Sequence, residues 1–366
     1  MSELKDMLIN ISEEKRTKII PENIKAGVQV FDVTGSYTSD ANATAEDIAK
    51  DKTAYVNGEK IIGTKEESSG SNITKGVIVN ECDETGYATE VSIVGFTEIP
   101  KAYFYNENPG DGSKTWLQNC TKINLPTDLK IINARSFKGC EAWELKELPD
   151  GITQINANAF ENCRKLALTK LPSSLERIAA YAFSNCVELP LEEMSEGTTL
   201  SGVNVFYNCY KLKLQKLPEK QTSISNYCFY NCKEMPLAKL PSNLTSIGTY
   251  SFYTCAAMTI KEIPSGVTKI ETNAFRYCSG LTEITCLGDM KSIAAASFQN
   301  CSNLTKFVLT NITGSVNLLN TSAFASTPIA DGTGYIYVPD DLVDSFKTAT
   351  NWSTYANQIK GVSELV

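Results

Sequence analysis

A 23-residue period constrains this chain more than any other feature. Cys140, Cys163, Cys186, Cys209, Cys232, Cys255, Cys278 and Cys301 are spaced 23 residues apart without exception. A phenylalanine stands three residues before each, from Phe137 and Phe160 to Phe275 and Phe298. A large apolar residue stands three residues after: Trp143, Leu166, Leu189, Leu212, Met235, Met258, Leu281 and Leu304. A fixed period of this length marks stacked repeats, in which one unit is too small to bury its own apolar face and neighbours share a core. The expected fold is a mostly β solenoid with short helical turns.

One unit reads Phe160-Glu-Asn-Cys-Arg-Lys-Leu-Ala-Leu-Thr-Lys-Leu-Pro-Ser-Ser-Leu-Glu-Arg-Ile178. Alternation at Leu166 and Leu168, then Leu171, predicts a strand with inward leucines. Pro172 ends it and opens a turn. Ile178 is a second inward position, repeated at Ile132, Ile155, Ile224, Ile247, Ile270 and Ile293. The Ala-Phe-x-Asn-Cys segment predicts a short helical turn on the opposite wall. One copy departs from the pattern. At Glu192–Gly202, Met194-Ser195 replaces Leu-Pro and Ser201 replaces the isoleucine, so a local irregularity is expected there.

The pattern L-x-L-x-x-L-P-x-x-L-x-x-I-x-x-x-A-F-x-N-C resembles the BspA-type class of leucine-rich repeat over about 190 residues, consistent with the general sequence signature of such coils. Gly334-Tyr-Ile-Tyr-Val-Pro-Asp-Asp-Leu to Tyr355 also resembles the segment that closes such repeats. It reads as a strand at Tyr335–Val338, Pro339, and a helix that Asp340 caps, with Leu342, Phe346 and Trp352 covering the last rung.

The solenoid is assigned to residues 119–310 and a C-terminal cap to 311–366. Residues 72–118 form a divergent N-terminal cap, since an open end exposes core and strand edges. Within it, Gly76–Cys82 and Ala88–Gly95 flank Asp83-Glu-Thr-Gly86 as a hairpin, and Thr97-Glu-Ile-Pro100 echoes the later Leu-Pro motif. Residues 67–71 are a polar linker. Residues 1–20 predict a short helix whose apolar residues Leu4, Met7, Leu8 and Ile11 serve either to dock on the next module or to oligomerise and attach.

Residues 21–66 contain two copies of a small module, beginning at Ile24 and Ile48 and closing at Gly35 and Gly63. In the second, Asn57-Gly58 lies between Thr53–Val56 and Glu59–Ile62, a strong hairpin signal because a type I′ turn needs positive φ at both positions. The run from Ile24 to Thr64 resembles a repeat in tail proteins of phages and prophages of Gram-positive bacteria. That resemblance implies a virion tail component, assembled in the host cytoplasm. Its N-terminus would join other tail or baseplate proteins, and it would be a homotrimer.

Composition narrows the chemistry. There is no histidine, which removes the commonest general base and every histidine-containing zinc site. A net charge of −8 argues against nucleic acid as the partner. No apolar run approaches the ~18 residues of a membrane span, and Met1-Ser-Glu-Leu-Lys-Asp lacks the pattern of a secretory signal. Acid pairs such as Glu192-Glu193 have no partner acid at a defined place. The expectation is a protein that is not an enzyme, with no catalytic residue, metal ligand or cofactor. The ladder cysteines read as free thiols packed in the wall: a regular ladder gives each two equal neighbours and no preferred disulfide.

Two candidate binding faces remain. The first is a set of tyrosines off the core positions: Tyr181, Tyr227 and Tyr250 two residues before a ladder phenylalanine, Tyr207, Tyr230 and Tyr253 one residue after, with Tyr210 and Tyr277 nearby. Such rings either shield the outer wall or stack on sugar rings and anchor a partner. The second is the variable charged face: Lys146, Lys170, Glu193, Gln215, Lys216, Lys239 and Lys261. It is a solvated surface, or the recognition face that solenoids commonly use. The expected function is recognition of a cell-surface glycan or protein, by a distal tail fibre or receptor-binding protein. The alternative is a bacterial cell-surface leucine-rich-repeat adhesin.

Overall fold

The computed structural model describes residues 8–11, 53–56, 59–62, 76–82, 88–104 and 117–365. The 23-residue units wind into a coil whose turns pair in parallel, one repeat on the next. Ile132, Ile155 and Ile178 lie in register on successive rungs, as do Ile224 with Ile247 and Ile270 with Ile293. All are buried.

The core is an aromatic spine. Phe104, Phe137, Phe160, Phe183, Phe206, Phe229, Phe252, Phe275, Phe298 and Phe324 stack face to face, with centroids 5.3 to 5.7 Å apart. The spacing exceeds the ~4.8 Å between strands because aromatic pairs prefer an offset. The spine continues beyond residue 310: Phe324 stacks on Phe298, and Asn317–Leu318 pairs with Ser292–Ile293.

The phenylalanine wall is not helical. It is a run of tight turns in which two residues per rung are left-handed, one two positions before the phenylalanine and one two positions after, as at Asn158 and Asn162 (φ 59° and 64°). This alternation sends every second N–H along the stack. Asn158, Phe160 and Asn162 donate to the carbonyls of Ala180, Ala182 and Ser184 on the next rung at 2.8–3.0 Å, while Ala159, Glu161 and Cys163 donate three residues back. A helix would turn all of these bonds inward on one rung and leave the stack without cross-links. Asparagine suits the left-handed sites because it tolerates that region. Asn162, Asn185, Asn208 and Asn231 also join amide to amide, each bond 2.9 Å.

Seven of the eight ladder thiols share one role. Cys163 Sγ donates to the carbonyl of Phe137, on the preceding rung, and the same bond recurs up to Cys301 and Phe275, at 3.0–3.2 Å throughout. The eleven cysteines from Cys120 to Cys301 are free and buried. Burial raises the pKa of ten of them, Cys120 and those from Cys163 to Cys301, to about 12 for Cys120 and Cys301.

The leucine wall departs from expectation. Leu166 and Leu168 are buried but form no strand; in the middle copies this wall is extended chain joined by isolated bonds such as Ala167 N–H to Leu145 O, 2.9 Å. After the first strand at Lys122–Asn124, regular strands return only toward the end, at Glu262–Ile263, Glu283–Cys286, Lys306–Leu309, Tyr335–Val338 and Ile359–Gly361. There β-branched and aromatic residues replace leucine, which favours the pleated conformation.

The irregular copy is a seam. Leu200, not Ser201, pairs with Ile178, so this copy is one residue short at the wall. Gly202 absorbs the shift at φ +128°, where a Cβ would fall 2.6 Å from that of Ala180. The isoleucine ladder stops at Thr199–Ser201 and resumes as a separate two-stranded sheet at Ser223–Ile224 and Ser246–Ile247. Buried Gln221 repairs the gap. Its amide accepts from Leu200 N–H at 2.8 Å and donates to Leu200 O at 3.1 Å, replacing a peptide group of the missing ladder.

At the N-terminal end, Gly76–Cys82 and Ala88–Val94 form the expected hairpin, and Glu90–Ser92 pairs with Lys122–Asn124 to start the coil. Ile99 pairs with Ile132, so Thr97–Pro100 supplies the isoleucine position, not the Leu-Pro position. Leu8–Ile11 is a strand parallel to Gly76–Val79, not part of a helix. Leu-Ile-Asn-Ile is rich in β-branched residues, and the open edge of the hairpin offers it ladder hydrogen bonds that an isolated short helix would lack. Leu4 and Met7 lie outside the described residues, as does the first small module. The second module's hairpin is present, with Val56 opposite Glu59 and Thr53 opposite Ile62.

At the other end, Pro339 leads through the short turn Asp340–Leu342 into the helix Val343–Thr348. Asp340 does not cap it; its carboxylate accepts from Ser363 N–H and Oγ at 3.1 and 3.0 Å, 23 residues on, because the chain returns one rung later beside it. The cap closes the last rung by hydrogen bonding as well as burial. Asn351 Nδ2 donates to Leu318 O at 2.7 Å, Trp352 Nε1 to Val316 O at 2.6 Å, and the Tyr355 hydroxyl to Thr321 O.

Candidate recognition surface

The left-handed turns that build the phenylalanine wall also aim its outer side chains. Residues one after the phenylalanine fall into one outer column, and residues two before it into a second. In the first column, Tyr207, Tyr230 and Tyr253 stack at 4.8 and 4.6 Å with interplanar angles of 10° and 3°. In the second, Tyr227 and Tyr250 stack at 5.0 Å and 7°. The columns lean on each other, with tilted contacts of Tyr227 on Tyr230 and Tyr250 on Tyr253 at 5.9 and 5.5 Å. Five of the eight singled-out tyrosines therefore form one block over three rungs. Tyr277 meets Tyr253 edge-on at 5.4 Å.

Tyr181, Tyr210 and Tyr277 flank the block and are the most open, 36%, 36% and 38% exposed. Lys233 lies 5.0 Å from the Tyr210 ring centre and Arg276 the same distance from that of Tyr277. Each is a cation on an aromatic face. The sequence reading did not single out these two cations.

Stacking changes what the rings offer. The faces of Tyr230 are covered by Tyr207 and Tyr253, so it presents an edge and a hydroxyl. Partial burial, then the neighbouring phenols, raise its pKa. Sugar-face stacking is left only to rings whose next position in the column is not aromatic.

Tyr181, Tyr227 and Tyr250 hold φ values of 58°, 57° and 56°. Asn158, Asn204 and Asn273 occupy the same position on other rungs. A bulky residue in this region costs on the order of 1 kcal/mol or more. Asparagine on three of the copies was the sequence signal that this position is left-handed.

The charged face lies on the leucine wall, away from the tyrosines. Lys146, Lys170, Glu193, Gln215, Lys216, Lys239 and Lys261 are all exposed. The backbone of Lys170 bridges that of Glu193. Lys216 pairs with Glu196 at 2.8 Å and Lys261 with Glu283 at 2.7 Å, lowering both carboxylates' pKa and raising both lysines'. These are paired surface charges that join adjacent rungs, and they converge on no common point. Among the described residues, no three metal-ligating side chains gather.

The BspA type leucine rich repeat region, in six copies, matches residues 115–236 and 199–331. No curated protein matches the chain. Among solved structures, it is similar to a leucine rich cell surface protein from Faecalibacterium prausnitzii A2-165. The identity is 20%, covering 76% of this chain and 84% of that one, with a TM-score of 0.40. It is also similar to the T. pallidum leucine rich repeat protein, at 22% identity, 59% and 84% coverage and a TM-score of 0.33. A third is the pneumococcal vaccine antigen PcpA, at 16%, 85% and 87%, with a TM-score of 0.34. With the repeat matched over more than half its length, the chain belongs to the BspA-type leucine-rich repeat family.

Proposed function

We propose that this chain is an adhesive recognition protein of the cell-surface type. It acts by binding, not by catalysis, and its tyrosine block contacts a glycan or protein on another surface. One observation carries the reading. Four tyrosines, Tyr181, Tyr227, Tyr250 and Tyr277, are held in left-handed backbone positions that asparagine occupies on other rungs, and Tyr227 and Tyr250 build the block. Strain retained at half-buried and exposed positions outside the core points to use.

The test is binding of the labelled full chain to bacterial cells and matrix-coated surfaces. Replacing Tyr207, Tyr230 and Tyr253 together with alanine is expected to lower binding about tenfold or more, as loss of an aromatic hot spot does. The unfolding midpoint should stay within a few degrees. Unchanged binding by the folded triple variant moves the contact to the face of Lys170, Lys216 and Lys261.

A second reading places the chain on a virion tail, assembled in the host cytoplasm, with the N-terminal modules joined to other tail or baseplate proteins and the whole a trimer. The hairpin at Thr53–Val56 and Glu59–Ile62, inside the segment that resembles tail-protein repeats, favours it. Immunogold microscopy of particles released by the encoding strain decides it: label at the tail tip supports the reading, and label confined to the cell envelope sinks it.

A further inference from the structure

The second tyrosine column has a one-rung gap. Its successive residues are Tyr181, Asn204, Tyr227 and Tyr250, all left-handed with φ between 56° and 59°. Tyr227 and Tyr250 cover each other, but on the preceding rung the column position beside Tyr227 is Asn204, which brings no ring. Across Asn204 stands Tyr181, two rungs from Tyr227, which is about 10 Å at the spacing of stacked strands. In the adjacent column the same rung has an open ring as well: the position before Tyr207 is Ser184.

The amide of Asn204 is also distinct. Asn158 donates to Glu161 at 2.7 Å, and Asn273 accepts from Arg276 at 3.3 Å, in each case three residues on. Three residues after Asn204 is Tyr207, and the Asn204 amide makes no hydrogen bond to any described residue. It is half-buried, with donor and acceptor both available.

The gap lies in an uncharged field. Over four rungs the two columns carry Tyr181, Ser184, Asn204, Tyr207, Tyr227, Tyr230, Tyr250 and Tyr253. The charges in these columns begin only at Glu161 on one side and Arg276 on the other. In a chain that is 21% charged, this neutral stretch disfavours an acidic polymer and suits an uncharged polar ligand.

We propose that the notch at Asn204 seats one neutral hexopyranose ring of a surface glycan, between Tyr181 and Tyr227, with the Asn204 amide hydrogen-bonded to ring hydroxyls. Size favours a sugar. A puckered ring with carbon contacts of about 3.5–4.0 Å on each face needs about 9 Å between the flanking rings, whereas a flat aromatic guest needs about 7 Å and would sit loosely. The Asn204 amide offers both a donor and an acceptor, which match the alternating acceptors and donors of a sugar edge. The proposal rests on the tyrosine block being the recognition surface.

The test is calorimetric titration of the full chain with neutral β-linked hexaoses of glucose, galactose, mannose and N-acetylglucosamine, with oligogalacturonate as the acidic control. Binding of at least one neutral hexaose and none of the control is expected. Asn204→Tyr, which fills the notch, and Tyr181→Asn and Tyr227→Asn, which remove one wall each, should each weaken it about tenfold or more. The two Tyr→Asn variants relieve backbone strain, so a lost fold does not explain their loss of binding. No binding to any neutral hexaose, or affinity untouched by Asn204→Tyr, overturns the proposal. Cell binding separates the two levels. If the Tyr207, Tyr230 and Tyr253 triple variant loses attachment and Asn204→Tyr keeps it, the recognition surface stands and the notch falls. If both variants keep it, both readings fall.

Discussion

Two aromatic columns run along the same wall of this coil, one inside and one outside. The inner column is phenylalanine on every rung from Phe137 to Phe298, fully buried and unbroken. The outer column, one residue further on, reads Lys138, Glu161, Ser184, Tyr207, Tyr230, Tyr253, Arg276 and Gln299. Ring spacing and angle are similar in both, 5.3 Å and 8° for Phe160 on Phe183 against 4.6 Å and 3° for Tyr230 on Tyr253. The backbone thus imposes stacking on whatever aromatic residue it is given, and burial alone decides where an aromatic residue is required. The outer tyrosines are a choice that the fold does not demand. That separates stability, carried by the inner column, from recognition, assigned to the outer one.

The comparison breaks most sharply at high pH. The inner wall carries thiols that burial keeps protonated, with Cys163, Cys186, Cys209, Cys232, Cys255 and Cys278 all raised. An unfolded thiol titrates near pH 8.5. A group whose folded pKa is raised gives its full stabilisation below the unfolded value and loses it as pH climbs toward the folded one. Stability should therefore be level up to about pH 8 and then fall, each thiol subtracting up to about 1.4 kcal/mol per pH unit. Acting together, they should unfold the coil between about pH 9 and pH 10. Urea unfolding under reducing conditions from pH 7 to 10.5 measures this, and stability level to pH 10 would refute it. Serine at Cys209, Cys232 and Cys255 keeps a donor for the phenylalanine carbonyl without titrating in this range, so it should shift the alkaline transition upward.

Next in size is the direct contrast of neighbouring rings. Phe229→Ala opens a cavity in the middle of the spine and should cost about 3–5 kcal/mol. Tyr230→Ala, one residue on, removes two half-buried stacking contacts of about 0.5–1.5 kcal/mol each, offset by the freedom regained at the surface. Its net cost should be about 1 kcal/mol. Denaturant midpoints at pH 7 read both, and equal losses would mean that the outer column is structural after all.

Much of the inner column was legible because a strict period cannot slip: the positions of phenylalanine, cysteine and isoleucine fixed the rungs, and Asn57-Gly58 marked a hairpin by turn chemistry alone. Leu200 was not legible, because the residue missing before it is regained at Gly202, and the period of the flanking cysteines stays unchanged. Gln221 was not legible either, since a buried amide that replaces a peptide group looks like any polar surface residue. At Leu8 and Ile11 helical spacing pointed the wrong way, because four residues pair with whatever edge is nearest. The tyrosines were recognised as lying off the core, yet their stacking and left-handed backbone depend on turns that propensity does not encode. Asn158, Asn204 and Asn273 were the available clue.

The smallest expected effect is the most telling about the outer column. Tyr250→Asn removes a ring that touches Tyr227, Tyr230 and Tyr253, so contact energy alone predicts a loss. The same substitution places in a left-handed position the residue that tolerates it best, recovering on the order of 1 kcal/mol. The two terms are similar in size, so stability should change by less than about 0.5 kcal/mol in either direction. Binding to the recognised surface should fall several-fold, because the block loses one of its two second-column rings. A clear loss of stability would assign these tyrosines to shielding the wall. Unchanged stability with weakened binding would show that the chain keeps strained tyrosines where asparagine folds equally well, which only selection for a partner explains.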